Sequence, residues 1–211
     1  METTPPIPFD EPRRRDRAIE DEAWIRALLT RVPLGVLATS GAESPGLNPN
    51  LFVFDPDRRA IYLHTARQGQ TRRHVEERPR VTFCAAEMGR LLPAEAAVHF
   101  SVEYASVVAT GRSVVVDDPA EATRALELFM AKYAPHLQLG RDYEGIRPKD
   151  LARTSVFRID IESWSAKGKT SDAADAYRYE EVVAPACPWT GARAPGEDAA
   201  EPEEPIGRGN P

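Results

Sequence analysis

Three short apolar runs follow one another with almost nothing between them: "LGVLATS" at 34–40, "NLFVFD" at 50–55 and "AIYLHT" at 60–65. Each favours β structure, and the connections "GAESPG" and "DPDRR" carry the Gly, Pro and Asp chemistry of tight turns. Parallel strands need a crossover of a dozen or more residues, so segments this close pair as antiparallel neighbours. The meander is the feature around which any fold of this chain has to be built.

Helical spacing of Ala23, Trp24, Ala27 and Leu28 before Pro33 predicts a helix over 21–31, packing through Trp24 and Leu28. A second helix is expected at 70–78, and "RVTFCAAE" reads as the fourth strand. The run "AVHFSVEYASVVATGRSVVVDD" reads as a long fifth, with Val98, Phe100, Val102 and Tyr104 on one face and His99, Ser101 and Glu103 on the other. Its alternation blurs at Val107 and Val108, and Gly111 permits a bulge or sharp bend. Asp118 and Glu121 bracket Pro119 as a capping box for a helix carrying Ala122, Ala125, Leu126, Phe129 and Tyr133. A short helix at 149–153 leads into the last strand, "SVFRIDIESWSAK". There Phe157, Ile159 and Ile161 point one way, while Arg158, Asp160, Glu162 and Trp164 point the other, which suggests an interface or a ligand under the tryptophan. Six strands with interposed helices predict a mainly β protein with flanking helices, an antiparallel β-barrel.

The ends differ from this body. Residues 1–18 are Pro- and Arg-rich and read as an extended arm. Residues 19–169 form the barrel domain, and 170–211 an acidic Pro/Ala-rich tail in which "AYRYEEVV" at 176–183 has the pattern of an added edge strand or a clasp on a second subunit. The net charge of -6 lies wholly in the tail, so the body offers no broad attraction to nucleic acid or an anionic membrane surface. Cys84 and Cys187 are far apart and suggest no disulfide framework. With no apolar N-terminal core or spanning run, the sequence predicts a soluble cytoplasmic protein.

Self-sufficient chemistry is hard to find. Gly168, Lys169 and Thr170 imitate the end of a phosphate loop, but Ser163 stands where the motif needs glycine. There is no GxGxxG or GxSxG, and His64, His74, His99 and His136 lack metal-ligand spacing, so no metal site is expected. Cys84 reads as a buried, inert thiol. The remaining candidate is "HTARQGQTR", a strand end, a turn through Gly69 and a helix start whose N–H groups attract anions. Any reaction would then draw its reactive atoms from a bound cofactor.

"GVLATS", "PNLFVFD", "IYLHTARQGQT", "RPRVTFCAAE", "EYASVVATG" and "WSAK", in this order over residues 16–169, resemble the pyridoxamine 5′-phosphate oxidase-like split-barrel superfamily, and within it the Nim-type (5-nitroimidazole resistance) flavin-nucleotide-binding proteins. The resemblance implies a six-stranded antiparallel split β-barrel and a homodimer with FMN at the subunit interface. Haem or the deazaflavin F420 are the superfamily's other cofactors. It implies that His64, Thr65, Ala66, Gly69, Gln70, Thr71 and Arg72 wrap the FMN phosphate, that Leu37, Ala38, Thr39 and Ser40 lie along the isoalloxazine ring, and that Trp164 and Lys167 belong to the site. Two positions depart from the Nim-type pattern. Thr71 stands where lysine is common, which passes the phosphate charge to Arg72 or Arg73, and Ala166 stands where glycine is usual. The signature of true pyridoxamine-phosphate oxidases is missing. The function this implies is flavin-mediated oxidation or reduction of a small molecule, nitroimidazole reduction being the family analogy; the alternative is a non-catalytic flavin- or haem-binding sensor or storage module.

Each residue also has a plainer explanation. His64 can be a barrel histidine met by a polar neighbour, and Thr65, Ala66, Gly69 and Thr71 ordinary turn and cap residues. Arg72 and Arg73 can pair with Glu76 and Glu77 on a solvated face. Thr39 and Ser40 can be strand-end hydroxyls, Trp164 dimer packing and Lys167 a surface charge.

Overall fold

Phe52 divides the second expected strand in two. In the computed structural model, which describes residues 14–42 and 44–182, β2 (Leu34–Ser40) pairs antiparallel with β3 (Pro45–Leu51), and β4 (Val53–Asp55) pairs with β5 (Ala60–Ala66). With β6 (Arg80–Leu92), β7 (Ser101–Val115) and β8 (Thr154–Lys169) the strand order is β3-β2-β6-β7-β8-β5-β4. β3 and β4, consecutive in the chain, are therefore the two edges of one sheet. The chain steps from edge to edge at Phe52, which curls the sheet into a split barrel without a ladder across the split. Among the described residues the strands number eight rather than six because of this division and because β1 (Ala18–Ile19) adds to β8. Within the expected arm of residues 1–18, Arg15–Arg17 thus form a 3₁₀ turn and Ala18 begins β1.

The seam is held from the last turn of α3 (Pro119–Tyr133). The Tyr133 hydroxyl accepts from Phe52 N–H at 3.0 Å and lies 2.7 Å from both the Phe52 and Pro33 carbonyls, to either of which it donates. Lys132 Nζ donates to Phe52 O at 3.0 Å and to Val32 O at 2.7 Å, just past α1 (Glu22–Arg31), and lies 3.9 Å from the centre of the Phe52 ring. Broken from both ladders, Phe52 would otherwise bury unpaired backbone groups, each costing about 1–3 kcal/mol. Burial pulls Lys132 down to about 8.

Inside the barrel, Leu37, Ile61, Leu63, Phe83, Val107, Phe157 and Ile159 pack with Ile25, Leu28 and Leu29 of α1 and Val75 of α2 (Gln70–Glu77). On the opposite face of β5, Ala60 and Tyr62 pack with Val53 and Val156 under Ala122, Ala125 and Phe129 of α3. Tyr62 changes the role of Glu121. Asp118 caps α3 through Ala120 and Glu121 N–H, as its spacing predicts, but the Glu121 carboxylate does not return to the cap. One of its oxygens accepts instead from Tyr62 OH (2.7 Å), Arg158 (2.7 Å) and Arg58 (2.8 Å). A fully buried phenol needs an acceptor, and that need wins. Burial pushes the Glu121 carboxyl up, but the Tyr62 hydroxyl and the two guanidiniums outweigh it and leave it below its ordinary value.

The bulge falls where Gly111 permits it. Thr110 faces Ser163 and Gly111 faces Ile161, leaving Glu162 without a partner, and a Cβ on Gly111 would lie 2.0 Å from the Asp160 carbonyl. The extra residue reverses the alternation of β8. Trp164 consequently leaves the charged face and packs against the core beside Phe54, with the Arg59 guanidinium 4.2 Å over its ring. The fifth strand begins only at Ser101, because 97–99 form a 3₁₀ turn with Val98 84 % exposed. The short helix expected at 149–153 is α4 (Pro148–Leu151). In the tail, Tyr177 bridges Leu91, and the segment read as an edge strand contains instead the short helix α5 (Tyr179–Val182). Residues 1–13, 43 and 183–211, with Cys187, lie outside the described residues. Among the described residues no helix is long and apolar enough to cross a membrane.

Replacing Lys132 with Met is expected to cost about 1–3 kcal/mol in urea unfolding, while Met at exposed Lys149 stays within about 0.5 kcal/mol. Glu121→Gln should destabilise by a similar amount, about 1–3 kcal/mol, at neutral pH. Because the folded carboxyl titrates below its unfolded value of 4.5, this deficit is full above the ordinary carboxylate range and closes as pH falls through the folded pKa; unfolding curves from pH 7 to pH 3 read it directly.

Candidate functional site

The turn after β5 opens onto a helix start tied down from both sides. Gly69 adopts φ 156 and ψ 174, a conformation open to glycine but strained for other residues, and no side chain caps α2. The first turn is left with the N–H groups of Gln70, Thr71 and Arg72 free of any side-chain cap. Asn48 of β3 donates to Thr71 Oγ1 at 3.2 Å. On the other side Arg72 donates to Ser155 Oγ of β8 at 3.0 Å and to Glu76 at 2.7 Å. Ser155, 1 % exposed, donates in turn to the Arg67 carbonyl and faces Thr65 in register. Asn50 closes the seam from β3 to β5 by donating to His64 O at 3.1 Å.

His64 itself lies toward α3, its ring edge-on to Phe129 at 4.8 Å, and burial alone pushes its pKa down. Its ring packs as an aromatic, and its carbonyl accepts from Asn50. Thr65 spends its hydroxyl on the Ala66 carbonyl at 2.9 Å.

A second contact ties β2 to α2. Thr39 Oγ1 and His74 Nδ1 are 2.9 Å apart, and both residues are buried. Two glycines give the imidazole its space: a Cβ on Gly46 would lie 2.7 Å from Thr39 Oγ1 and 3.0 Å from His74 Nδ1, and one on Gly41 would meet the ring at 2.8 Å. Beside this pair, Ala38, Ser40, Thr82, Thr110 and Ser163 line an open groove of about 600 Å³ on the outer face of the sheet.

Of the residues singled out from sequence, the structure gathers His64, Thr65, Ala66, Gly69, Gln70, Thr71 and Arg72 at one corner of the barrel, with Thr39 joined to the same helix through His74. Ala38 and Ser40 border the groove. Leu37 is a fully buried core residue whose side chain faces the barrel interior. Trp164 and Lys167 lie toward the opposite end of β8 from Ser155; Lys167 stands opposite Ala18 and Ser106. Sequence reasoning missed Asn48, Asn50, Ser155 and His74. The alternating asparagines of "NPN" carried a signal, since two amides on one face of an apolar strand need partners. Ser155 shows only through strand register.

A family model described as pyridoxamine 5′-phosphate oxidase matches residues 21–168, and the chain belongs to that family. Solved structures share its fold. A candidate 5-nitroimidazole antibiotic resistance protein of Bacteroides thetaiotaomicron superposes with a TM-score of 0.60 at 18% identity, over 72% of this chain and 86% of its own. The flavocytochrome Anf3 of Azotobacter vinelandii does so with 0.67 at 21% identity, over 95% and 89%. An FAD- and haem-binding protein of Mycobacterium smegmatis gives 0.63 at 20% identity, over 90% and 94%. No curated protein matches the chain.

Thr39→Val removes the partner of a buried ring nitrogen and is expected to cost about 1–3 kcal/mol in chemical denaturation, with Thr39→Ser retaining most of it.

Proposed function

We propose that this chain is a flavin-nucleotide-binding oxidoreductase that holds the FMN moiety by its phosphate at the start of α2. The observation that carries the reading is the pre-built anion cradle. The start of α2 brings together uncapped first-turn amides, the Thr71 hydroxyl fixed by Asn48 and the Arg72 guanidinium, which is held by Ser155 and ion-paired with Glu76 at 2.7 Å. Such a donor set suits a phosphate dianion, with Arg72 supplying the charge where the Nim-type pattern has lysine. Flavins named for the Azotobacter and Mycobacterium proteins of the same fold support the choice of ligand.

The outer sheet face suggests how the ring is covered. Register aligns Val36, Cys84, Val108 and Ser165 in one row across four strands and Ala38, Thr82, Thr110 and Ser163 in the next, all small side chains. Leu34, Leu47 and Leu51 stand exposed beside them. A second copy of the chain laid on this low face would bury it and close the groove along Ala38 and Ser40 over an isoalloxazine ring, giving a homodimer with the cofactor between subunits. A bound flavin would supply the acceptor and donor of electrons. The protein would supply position, exclusion of water and a phosphate anchor.

One observation favours a non-catalytic flavin- or haem-binding module instead. His64, the titratable side chain nearest the helix start on β5, is packed on Phe129 with its pKa pushed down, so it is not placed as an acid or base.

The purified protein is expected to be yellow, with a flavin spectrum, and to sediment as a dimer. Thr71→Glu should lower FMN retention at least ~10-fold, since a carboxylate then faces the phosphate. Colourless protein that FMN does not protect against heat overturns the reading, and a Soret band moves it to haem. Reduction by NADH or NADPH followed by turnover of a nitroaromatic acceptor separates enzyme from module.

A further inference from the structure

On the flank of α2 that meets the β2–β3 turn, Gln70, Arg73, His74 and Glu77 recur at helical spacing and, with Gly41 and Ser44, line a cavity of about 350 Å³. His74 is the buried member, 3 % exposed, with Nδ1 2.9 Å from Thr39 Oγ1. Thr39 has a single hydroxyl proton, and the Gly46 carbonyl accepts it at 3.4 Å. Oγ1 therefore receives the proton of Nδ1, which leaves Nε2 with its lone pair. The Cε1–Nε2 edge of the ring lies against Gly41, where a Cβ would come within 2.8 Å of both atoms, and Nε2 has no hydrogen-bond partner among the described residues. A glycine thus keeps a buried acceptor open to the cavity, and such an acceptor calls for a donor.

Two opposite charges flank that acceptor without meeting. Arg73 and Glu77 have the spacing of a helical ion pair, yet Glu77 pairs with Arg78 at 3.4 Å, and Arg73 has no hydrogen-bonded or ionic partner among the described residues. A phosphate dianion entering here would gain Arg73 but face the Glu77 carboxylate and the imidazole lone pair, and a simple cation would face Arg73. A molecule with both signs of charge and an N–H donor satisfies all three groups. We propose that this cavity binds a free α-amino acid. Its carboxylate takes the Arg73 guanidinium in a bidentate pair, and its ammonium donates to His74 Nε2 and to Glu77. Ser44, Gln70 and Glu77 are exposed, so the side chain of the amino acid leaves toward solvent between them. The site goes beyond the flavin reading and does not depend on it: of the cradle residues it shares only Gln70.

The test screens the full-length protein, as purified, against the twenty common L-amino acids by thermal shift and measures the strongest of them by calorimetry. At least one is expected to raise the melting temperature progressively with its concentration. Its carboxamide and its N-acetyl derivative, each lacking one of the two charges, should bind at least ~10-fold more weakly. Arg73→Gln should weaken the amino acid by at least ~10-fold, and Glu77→Gln should weaken it in the same direction, both variants melting as the wild type does when no ligand is present. These two positions decide the matter, because His74→Ala would also remove the tie to Thr39. No stabilisation by any amino acid, binding that survives Arg73→Gln, or derivatives that bind as well as the parent overturns the assignment. Thr71 and Arg72 are untouched in both variants, so the flavin spectrum of the same preparations reports on the cradle separately.

Discussion

The barrel closes at one residue. Because β3 and β4 are the two edges of the same sheet, the peptide at Phe52 does what a hydrogen-bonded ladder does in a fully closed barrel, and its own polar groups are met from α3 and not from a strand. Lys132 and Tyr133 join three things in one place: the seam, the end of α1 and the last turn of α3. The corner that carries Thr71 and Arg72 inherits its geometry from that closure. Asn48 and Asn50 can reach across to α2 and β5 only because β3 is brought alongside them.

The two antiparallel pairings β2–β3 and β4–β5, the Asp118 cap and the position of the bulge were legible because each rests on local chemistry: turn residues between apolar runs, Asp118 before Pro119, a glycine in a long strand. The break at Phe52 was not. "NLFVFD" is apolar throughout, and the side chains that make an interruption tolerable stand some eighty residues later. Glu121 shows the same limit. Its spacing from Asp118 describes a capping box, but the phenol that claims the carboxylate is on another element. Spacing reports what a side chain can do locally, and burial of a distant partner decides what it does.

The site divides along the same line. Gly69, Thr71 and Arg72 could be picked out because a helix start after a strand is a recognisable donor array. What fixes those donors comes from β3 and β8, through Asn48 and Ser155, and pairing across strands does not show in linear spacing. Leu37 and its neighbours show a related limit. Its neighbours Ala38 and Ser40 line the groove, and in a strand adjacent residues face opposite ways, so a motif quoted as a block mixes residues of the outer face with those of the core.

Glu162, which has no ladder partner on β7, separates two halves of β8 with opposite phase. In the first half, odd-numbered residues such as Phe157 and Ile159 fill the barrel; in the second, odd-numbered Ser163 and Ser165 join the outer rows and even-numbered Trp164 and Ala166 turn inward. A strand of uniform phase would raise an indole on a sheet face otherwise built from alanine, valine, serine, threonine and cysteine. The bulge thus acts as a levelling device: one inserted residue keeps the indole off the outer rows of small side chains and sends its bulk to the core under Arg59.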